Sequence, residues 1–273
     1  LSPLKRGKNW KLFMQKIYWH SRIQPTSTCR QLISDTGIER STESQPMFRK
    51  LVDSFNTSLR LYKKGKQPWP EGEAGLLVRD HREMVGGKWD EIGLLQFNFM
   101  KSQGLKPHHV LCDVACGSFR AGRFFIDYLD AGNYLGIDKQ EVLIREGRAK
   151  EIGEALWAEK KPEVLIDDAF EFSRFSKRPD FAVANSLFSH LSASDIKRCL
   201  RNLAAHAGPG CKFFATYILS DVTLIHLHGS HSSRSFRYTP EKMLSMGRDA
   251  GWLAEYIGDW KHPRKQVMVL YTL

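Results

Sequence analysis

Two acidic residues stand at the ends of short apolar runs, where they could bind a ligand. Asp113 lies near the end of the run that begins at Val110, and a loop of small residues follows it. Asp138 ends the next run, 134–138, about 25 residues later. A tight loop between a strand and a helix lets a nucleotide approach the backbone, and an acid on the second strand can bind a ribose. The spacing therefore predicts a nucleotide-cofactor site.

The loop itself favours one kind of nucleotide. A dinucleotide site has the pattern G-x-G-x-x-G, and here Ala115, Gly117 and Arg120 stand at its three glycine positions. The carboxylate of Asp113 would repel a pyrophosphate, whereas it would attract the ammonium group of an amino acid. These residues predict S-adenosylmethionine rather than NAD as the cofactor.

The elements that must position these residues alternate along the chain. Alternation of buried strands with helices predicts an α/β, doubly wound, mainly parallel, seven-stranded Rossmann-like sheet. The last two strands share a short loop, so they should pair antiparallel. Asp90 is predicted to cap a helix over 91–103, which Gly104 ends. The strands are expected at 110–114, 134–138, 163–167, 180–185, 212–218, 253–258 and 266–272, and further helices at about 119–130, 140–156, 192–205 and 239–250.

Residues 1–75 are predicted to form a basic helical N-terminal extension that ends in the Pro- and Gly-rich linker 67–75, and residues 76–273 the main domain. Residues 1–80 hold 15 of the 41 Lys and Arg residues but 7 of the 30 Asp and Glu residues. An aromatic stripe at helical spacing crosses residues 8–23. It could lie on an anionic membrane surface, or it could dock on the main domain or a second subunit.

Four motifs in order resemble those of class I S-adenosylmethionine-dependent methyltransferases. Asp113-Val-Ala-Cys-Gly-Ser-Phe119 is similar to their D-x-G-x-G-x-G loop, with Ala115 and Phe119 in place of the first and third glycines. The later motifs are Gly136-Ile-Asp138, Ile166-Asp-Asp-Ala169, and the stretch from Asp180 to Leu191. The form of these motifs is similar to that in bacterial methyltransferases of glycan and natural-product pathways.

The resemblance implies a role for each matching residue. The methionine part of the cofactor would lie against Asp113, Ala115 and Gly117. The ribose would be held by Asp138 and Lys139, and the adenine by Asp168 and Ala169. Asn185 and Ser186 end the fourth strand, where ligands bind in open α/β sheets. Trp89 and Gln96 are expected to form part of a lid over the cofactor.

The acceptor side is predicted from residues that can move protons or bind anions. His190 follows the fourth strand and is the candidate general base for an alcohol acceptor. The histidines of the loop 219–237 could bind a divalent metal or, with nearby arginines, a phosphate or carboxylate, and no metal is expected. The candidate acceptor-binding residues are His226, His228, His231, Arg234, Arg237, Trp260, His262 and Arg264.

The leading hypothesis is O-methylation of a sugar hydroxyl on a small-molecule or glycan acceptor. An anionic acceptor is one option, because the histidines and arginines of the loop 219–237 could hold its phosphate or carboxylate. The alternatives are a nucleic-acid methyltransferase, a non-catalytic scaffold with the same fold, and an NAD-linked oxidoreductase. Nucleic acid is disfavoured because the fourth motif lacks the Asn-Pro-Pro-Tyr or Asp-Pro-Pro-Tyr of base methylators. Five scattered cysteines and no apolar run of membrane-spanning length predict a cytoplasmic protein, with peripheral membrane contact through residues 8–23 as one option.

Overall fold

The computed structural model describes residues 69–221, 230 and 235–273, and these residues form a mixed α/β sheet with helices on both faces. The strand order is β3-β2-β1-β4-β5-β8-β7, with the short β6 beside β5. The strands are β1 (Leu111–Val114), β2 (Tyr134–Asp138), β3 (Glu163–Ile166), β4 (Phe181–Ala184), β5 (Lys212–Leu219), β6 (Arg237–Tyr238), β7 (Leu253–Asp259) and β8 (Gln266–Thr272).

The predicted sheet is confirmed in its topology. The first five strands pair in parallel, and β8 lies antiparallel between β5 and β7. Strand ends differ from the predicted ones by one residue at most. The short β6 was not predicted. It has only two residues, the last of the loop 219–237 and the one after it, and so short a strand carries no periodic pattern.

Four of the five helices predicted over the described residues are confirmed with shifted ends. The helices are α1 (Gly72–Leu76), α2 (His81–Met84), α3 (Trp89–Ser102), α4 (Gly122–Tyr128), α5 (Glu141–Gly147), α6 (Glu154–Lys160), α7 (Ala193–His206) and α8 (Pro240–Arg248). The short α1 and α2 were not predicted. The single helix predicted over 140–156 is wrong. A π-helical turn, Arg148–Ile152, follows α5, and Gly153 at φ +80° separates it from α6.

Local chemistry explains where several helices begin and end. The side chains of Ser192 and Thr239 cap α7 and α8 by accepting hydrogen bonds from backbone N–H groups. The predicted cap at Asp90 is wrong, because α3 already begins at Trp89 and Asp90 forms an ion pair with Arg123 instead. Gly104, at φ +99°, follows the end of α3 as predicted.

The core lies on both faces of the sheet. All residues of β1, β2 and β4 are buried, as expected for central parallel strands covered by helices. On one face α7 contributes Ile196, Leu200 and Leu203 at helical spacing, and on the other face α4 contributes Phe125 and Ile126. Each such side chain stabilises the fold by about 1.5–3 kcal/mol when it leaves water. The carboxyl ends of β1, β2 and β4 are thereby fixed side by side.

The N-terminal predictions fall mostly outside the described residues. The aromatic stripe of residues 8–23 and the helical extension lie there, so both stay predictions. The proposed boundary between residues 75 and 76 falls inside the short helix α1. Across 69–221 and 235–273, every helix is too short or too polar to cross a membrane.

Candidate functional site

A cavity of about 590 Å³ opens at the carboxyl ends of β1, β2 and β4, the edge where ligands bind in open α/β sheets. Of the predicted site residues, those that line it are Gln96, Asp113, Ala115, Gly117, Asp138, Lys139, Asp168, Asn185, Ser186, His190 and Arg264. The structure thus brings together residues that are up to 168 positions apart in the sequence.

The loop after β1 has a glycine-like backbone although two of its glycine positions are occupied by other residues. Ala115, Gly117 and Phe119 have φ values of +63°, +56° and +64°. A left-handed conformation costs a non-glycine residue about 1–2 kcal/mol. The Phe119 ring offsets that cost because it is fully buried and packs edge-to-face on Tyr134 and Trp157. The loop keeps its shape through packing and backbone bonds rather than through glycine.

Asp113 is a buried carboxyl on the cavity wall. Its Oδ2 accepts a hydrogen bond of 2.9 Å from the hydroxyl of Tyr134. Burial raises the pKa of Asp113 to about 7, although this hydrogen bond opposes the shift. The group therefore changes charge near neutral pH, and a ligand cation beside it would favour the ionised form.

Asp138 is held in place from two sides. One carboxylate oxygen accepts from the backbone N–H of Gly117 at 2.9 Å, and the other accepts from that of Gln140 at 2.8 Å. Burial raises its pKa, and these two hydrogen bonds oppose the rise. Each oxygen retains a lone pair, and Asp138 lines the cavity, which suits the binding of hydroxyl groups. Neighbouring Lys139 forms an ion pair of 3.1 Å with Glu71.

The two aspartates after β3 have different surroundings. Asp167 accepts hydrogen bonds from the N–H groups of Ala169 and Glu171, so its carboxylate stabilises its own turn. Both aspartates line the cavity, but Asp168 is exposed, whereas Asp167 is half-buried. Only the structure separates the two roles, because adjacent identical residues look alike in the sequence.

The turn after β4 carries polar atoms without protein partners. The backbone N–H of Ser186, which has φ +63°, donates to Thr216 Oγ1 at 2.6 Å, and that hydroxyl donates to Gln266 Oε1 at 2.7 Å. Asn185 Nδ2 and Ser186 Oγ are buried and have no hydrogen-bond partner among the described residues. His190 lies on the same wall, in the 3₁₀ turn Phe188–His190.

One wall of the cavity was missed by the sequence interpretation. Residues 79–87, called the strap below, contain α2 and contribute Arg79, Glu83, Met84, Val85 and Gly86 to the lining. Backbone carbonyl oxygens of the strap accept hydrogen bonds from side chains that lie far along the chain. No periodic pattern marks such contacts, although Arg120 had already stood out as a bulky residue at a glycine position.

The far end of the strap is anchored through a buried carboxylate. Glu151 accepts a hydrogen bond of 2.6 Å from His81 Nε2 and two from Arg82, at 2.7 and 2.8 Å. Burial alone would raise the pKa of Glu151, but the hydrogen bonds from Arg82 and His81 outweigh it and lower the pKa. Ser118 Oγ adds a 3.2 Å bond to the carbonyl of His81.

Several predicted residues lie elsewhere. Trp89 is buried and packs against the ring of His81, so it does not line the cavity. The other described residues that were predicted for the site but do not line the cavity are Ala169, Arg237, Trp260 and His262. Burial, beside Arg120 and Arg264, lowers the pKa of His262 to about 4, so its ring is neutral at pH 7. Four other predicted residues lie outside the described part of the chain, namely His226, His228, His231 and Arg234. All of these assigned roles stay predictions.

Comparison with known proteins points to one activity. Residues 112–213, which run from β1 into β5, match a family model described as a methyltransferase domain. Among solved structures, the chain is similar to magnesium protoporphyrin IX methyltransferase from Synechocystis PCC 6803 with bound SAM. The TM-score is 0.51 and the identity 13%, over 86% of this chain and 99% of that one.

Two further solved structures have the same fold. One is an amino pentose methyltransferase from Micromonospora echinaspora (TM-score 0.51, 13% identity, covering 70% of this chain and 93% of that one). The other is a glycopeptide N-methyltransferase complexed with S-adenosyl-L-homocysteine (TM-score 0.51, 13% identity, covering 66% and 90%). Residues 112–213 thus match a methyltransferase domain, and the described residues have the class I, Rossmann-like fold that these methyltransferases share.

Proposed function

We propose that this methyltransferase takes its methyl group from S-adenosylmethionine and transfers it to a sugar hydroxyl of a small-molecule or glycan acceptor. The observation that carries the proposal is the cavity itself. It joins two buried aspartates, Asp113 and Asp138, to two polar atoms at the end of β4 that have no partner among the described residues. When bound, S-adenosylmethionine supplies an electrophilic methyl group on a sulfonium.

The residues present fit this cofactor. Asp138 offers lone pairs to the ribose hydroxyls, and Asp168 is an exposed acceptor beside it for an adenine amino group. Asp113, with its pKa of about 7, can hold an ammonium group once ionised. Asn185 Nδ2 and Ser186 Oγ, which have no hydrogen-bond partner in the part of the chain that the structure describes, could supply further polar contacts.

Two observations support a sugar-bearing acceptor. They are the activities of methyltransferases that share this fold and the residues of the cavity wall that contains His190. An amino pentose methyltransferase and a glycopeptide N-methyltransferase share this fold, so sugar-bearing acceptors are the first to test. His190 lines the cavity next to the end of β4, where its imidazole would accept the proton of an acceptor hydroxyl. An anionic acceptor would meet Arg264, which lines the same cavity.

Replacement of His190 tests the role of the general base. We expect His190→Ala to lower kcat about 10²–10⁴-fold, which is the usual contribution of a positioned base. Affinity for S-adenosylhomocysteine, measured by titration calorimetry, should change by about twofold or less. Full activity in this variant would remove His190 as the base.

A screen with labelled methyl donor tests the acceptor class. Free sugars, lipid-linked sugars, polysaccharides and nucleic acids are compared, and the labelled atom is located by NMR. Label on a sugar oxygen is the expected result, whereas label on nucleic acid or on a sugar nitrogen would overturn the proposed acceptor. Failure of the wild type to bind S-adenosylhomocysteine at millimolar concentration would overturn the proposed donor and favour a non-catalytic protein.

A further inference from the structure

Two polar side chains lie in the core, behind the residues that line the cavity. Thr216 in β5 is fully buried, and Gln266 at the start of β8 is 5% exposed. Neither residue lines the cavity. The neighbours of Thr216 along β5, Ala215 and Tyr217, are fully buried, and the residue opposite it on β8 is Met268. A buried hydroxyl is costly unless it is hydrogen-bonded, so the hydroxyl at this position requires a physical reason.

The Thr216 hydroxyl links the turn after β4 to β8. Its oxygen accepts a hydrogen bond of 2.6 Å from the backbone N–H of Ser186, and its proton is donated to Gln266 Oε1 at 2.7 Å. Asn185 Oδ1 lies 3.4 Å from the same hydroxyl oxygen. A hydroxyl has one proton and two lone pairs, so the bond to Gln266 uses its single donor. Gln266 thereby orients the lone pairs that can accept the N–H of Ser186.

The turn after β4 depends on this hydrogen bond. Ser186 has φ +63°, a left-handed conformation that is strained for a residue with a side chain. Its own Oγ has no hydrogen-bond partner among the described residues, so the side chain does not stabilise the turn. The backbone of Ser186 is held instead, at its N–H by Thr216 and at its carbonyl oxygen by Ser189 Oγ, which donates at 2.8 Å. Ser189 belongs to the same segment as Ser186, whereas Thr216 lies on the neighbouring strand β5. Thr216 therefore anchors the turn to the sheet.

We propose that Thr216 and Gln266 are positioning residues of the methyl transfer. The Thr216 hydroxyl, oriented by Gln266, holds the left-handed turn after β4, and this turn brings Asn185 and Ser186 to the cavity wall. Because neither Thr216 nor Gln266 lines the cavity, both act through the turn. The proposal rests on the proposed function, in which Asn185 and Ser186 supply polar contacts to the methyl donor.

Titration calorimetry with S-adenosylhomocysteine on the full chain tests the proposal. Thr216→Val keeps the β-branched shape but removes the hydroxyl, so the N–H of Ser186 loses its acceptor and the turn can relax. We expect the affinity to fall about fivefold, which is the effect of one lost hydrogen bond. Thr216→Ser keeps the hydroxyl, and its affinity should lie within about twofold of the wild type. Gln266→Leu removes the acceptor that orients the hydroxyl, and it should lower the affinity about threefold.

Thr239→Val is the matched control, because it also takes a buried threonine hydroxyl away from a backbone N–H. Thr239 Oγ1 accepts from the N–H of Lys242 at the start of α8, and Thr239 does not line the cavity. Loss of this cap should lower the urea midpoint, as the loss of the Thr216 hydroxyl should. The affinity of Thr239→Val should nevertheless stay within about twofold of the wild type. An equal loss of affinity in Thr216→Val and Thr239→Val would reveal an effect of stability alone and would overturn the proposal.

Hydrogen exchange at the Ser186 amide, followed by NMR on the ligand-free protein, gives a readout that needs no ligand. Exchange should be about tenfold faster in Thr216→Val and unchanged in Thr216→Ser and Thr239→Val. Unchanged exchange or unchanged affinity in Thr216→Val, or an equal loss of affinity in Thr216→Ser, would overturn the proposal.

Two further outcomes are also decisive. Should Thr216→Val not fold, Gln266→Leu decides the titration, and wild-type affinity in that variant overturns the proposal. A wild type that does not bind S-adenosylhomocysteine overturns the proposed function instead, and the exchange rate of the Ser186 amide then decides whether Thr216 holds the turn.

Discussion

Two walls of the same cavity satisfy their polar groups in opposite ways. On the first wall, at the ends of β1 and β2, the carboxylates of Asp113 and Asp138 accept hydrogen bonds from Tyr134, Gly117 and Gln140. On the second wall, at the end of β4, Asn185 Nδ2 and Ser186 Oγ are buried without a partner among the described residues. The first wall is complete within the protein, and the second is not.

This difference separates stability from function. A satisfied buried group that is removed leaves its partner unmatched, which costs about 1–3 kcal/mol. An unsatisfied buried group already carries that cost, so its removal should leave stability unchanged or raise it. Truncation of a hydrogen-bonded polar side chain on the first wall should therefore weaken both folding and ligand binding, whereas truncation of an unpartnered one on the second wall should weaken only ligand binding.

The largest effect is expected for Asp138→Ala. It removes the acceptor of two backbone N–H groups and the proposed ribose contacts. We expect affinity for S-adenosylhomocysteine to fall about 100-fold or more, and the free energy of unfolding to fall by about 1–3 kcal/mol. Titration calorimetry and urea denaturation measure the two. Asp127→Ala, at an exposed position on α4, is the control that should change neither. Unchanged affinity in Asp138→Ala would refute the assignment.

Asp113→Asn tests the first wall through the pH dependence of the free energy of unfolding. The folded pKa of Asp113, about 7, lies above its ordinary value of 3.8. The protonated group thus stabilises the fold fully below pH 4, and this contribution is lost as the pH rises through 7. Asn cannot ionise, so the wild type should lose about 4 kcal/mol relative to the variant over this window. Urea denaturation at pH 4 and pH 8 measures the difference.

Ligand binding should follow the opposite trend. Ionised Asp113 attracts the ammonium of S-adenosylhomocysteine, so wild-type affinity should rise about tenfold between pH 6 and pH 8. Asp113→Asn should lack this rise. A stability difference between the two proteins that does not vary with pH would contradict the buried-carboxyl interpretation.

Ser186→Ala tests the second wall, and Ser118→Ala is its matched counterpart. Ser118 Oγ is buried and donates to the carbonyl of His81, whereas Ser186 Oγ has no described partner. We expect Ser118→Ala to lower the free energy of unfolding by about 1 kcal/mol, and Ser186→Ala to leave it unchanged or raise it by up to about 1 kcal/mol. Turnover should fall only in Ser186→Ala. Equal destabilisation of both would remove the distinction between the walls.

The sequence was sufficient for the sheet and for the first wall because both follow from short-range patterns. Apolar runs that end in Asp113 and Asp138 mark buried strands, and the carboxyl ends of parallel strands must meet at one edge. The break at Gly153 was missed because the apolar spacing continues across it. The strap could not be predicted, since its contacts join Arg120 to Val85 and Arg264 to Gly86, 178 residues apart, through backbone carbonyls that carry no sequence signal.

The smallest effect is expected for Ala115→Gly, which tests how the first wall keeps its shape. The N–H groups of Ala115 and Cys116 both donate to the carbonyl of Ile137, at 2.8 and 3.1 Å, and these bonds hold Ala115 at φ +63°. Glycine removes a strain of about 1–2 kcal/mol. It also gives the unfolded chain more freedom, which offsets about 0.4–1 kcal/mol. Urea denaturation should show a gain of up to about 1 kcal/mol, with donor affinity changed less than twofold.

Phe119→Gly is the comparison that makes this result informative. It relieves the same backbone strain at φ +64° but deletes a ring that is fully buried against Tyr134 and Trp157. Loss of a buried Phe side chain costs about 3–5 kcal/mol, so this variant should be less stable by about 2 kcal/mol or more. Opposite signs for the two substitutions would show that packing at Phe119 and backbone bonds at Ala115 replace the missing glycines. A loss of stability in Ala115→Gly would mean that the left-handed residue at 115 is not strained.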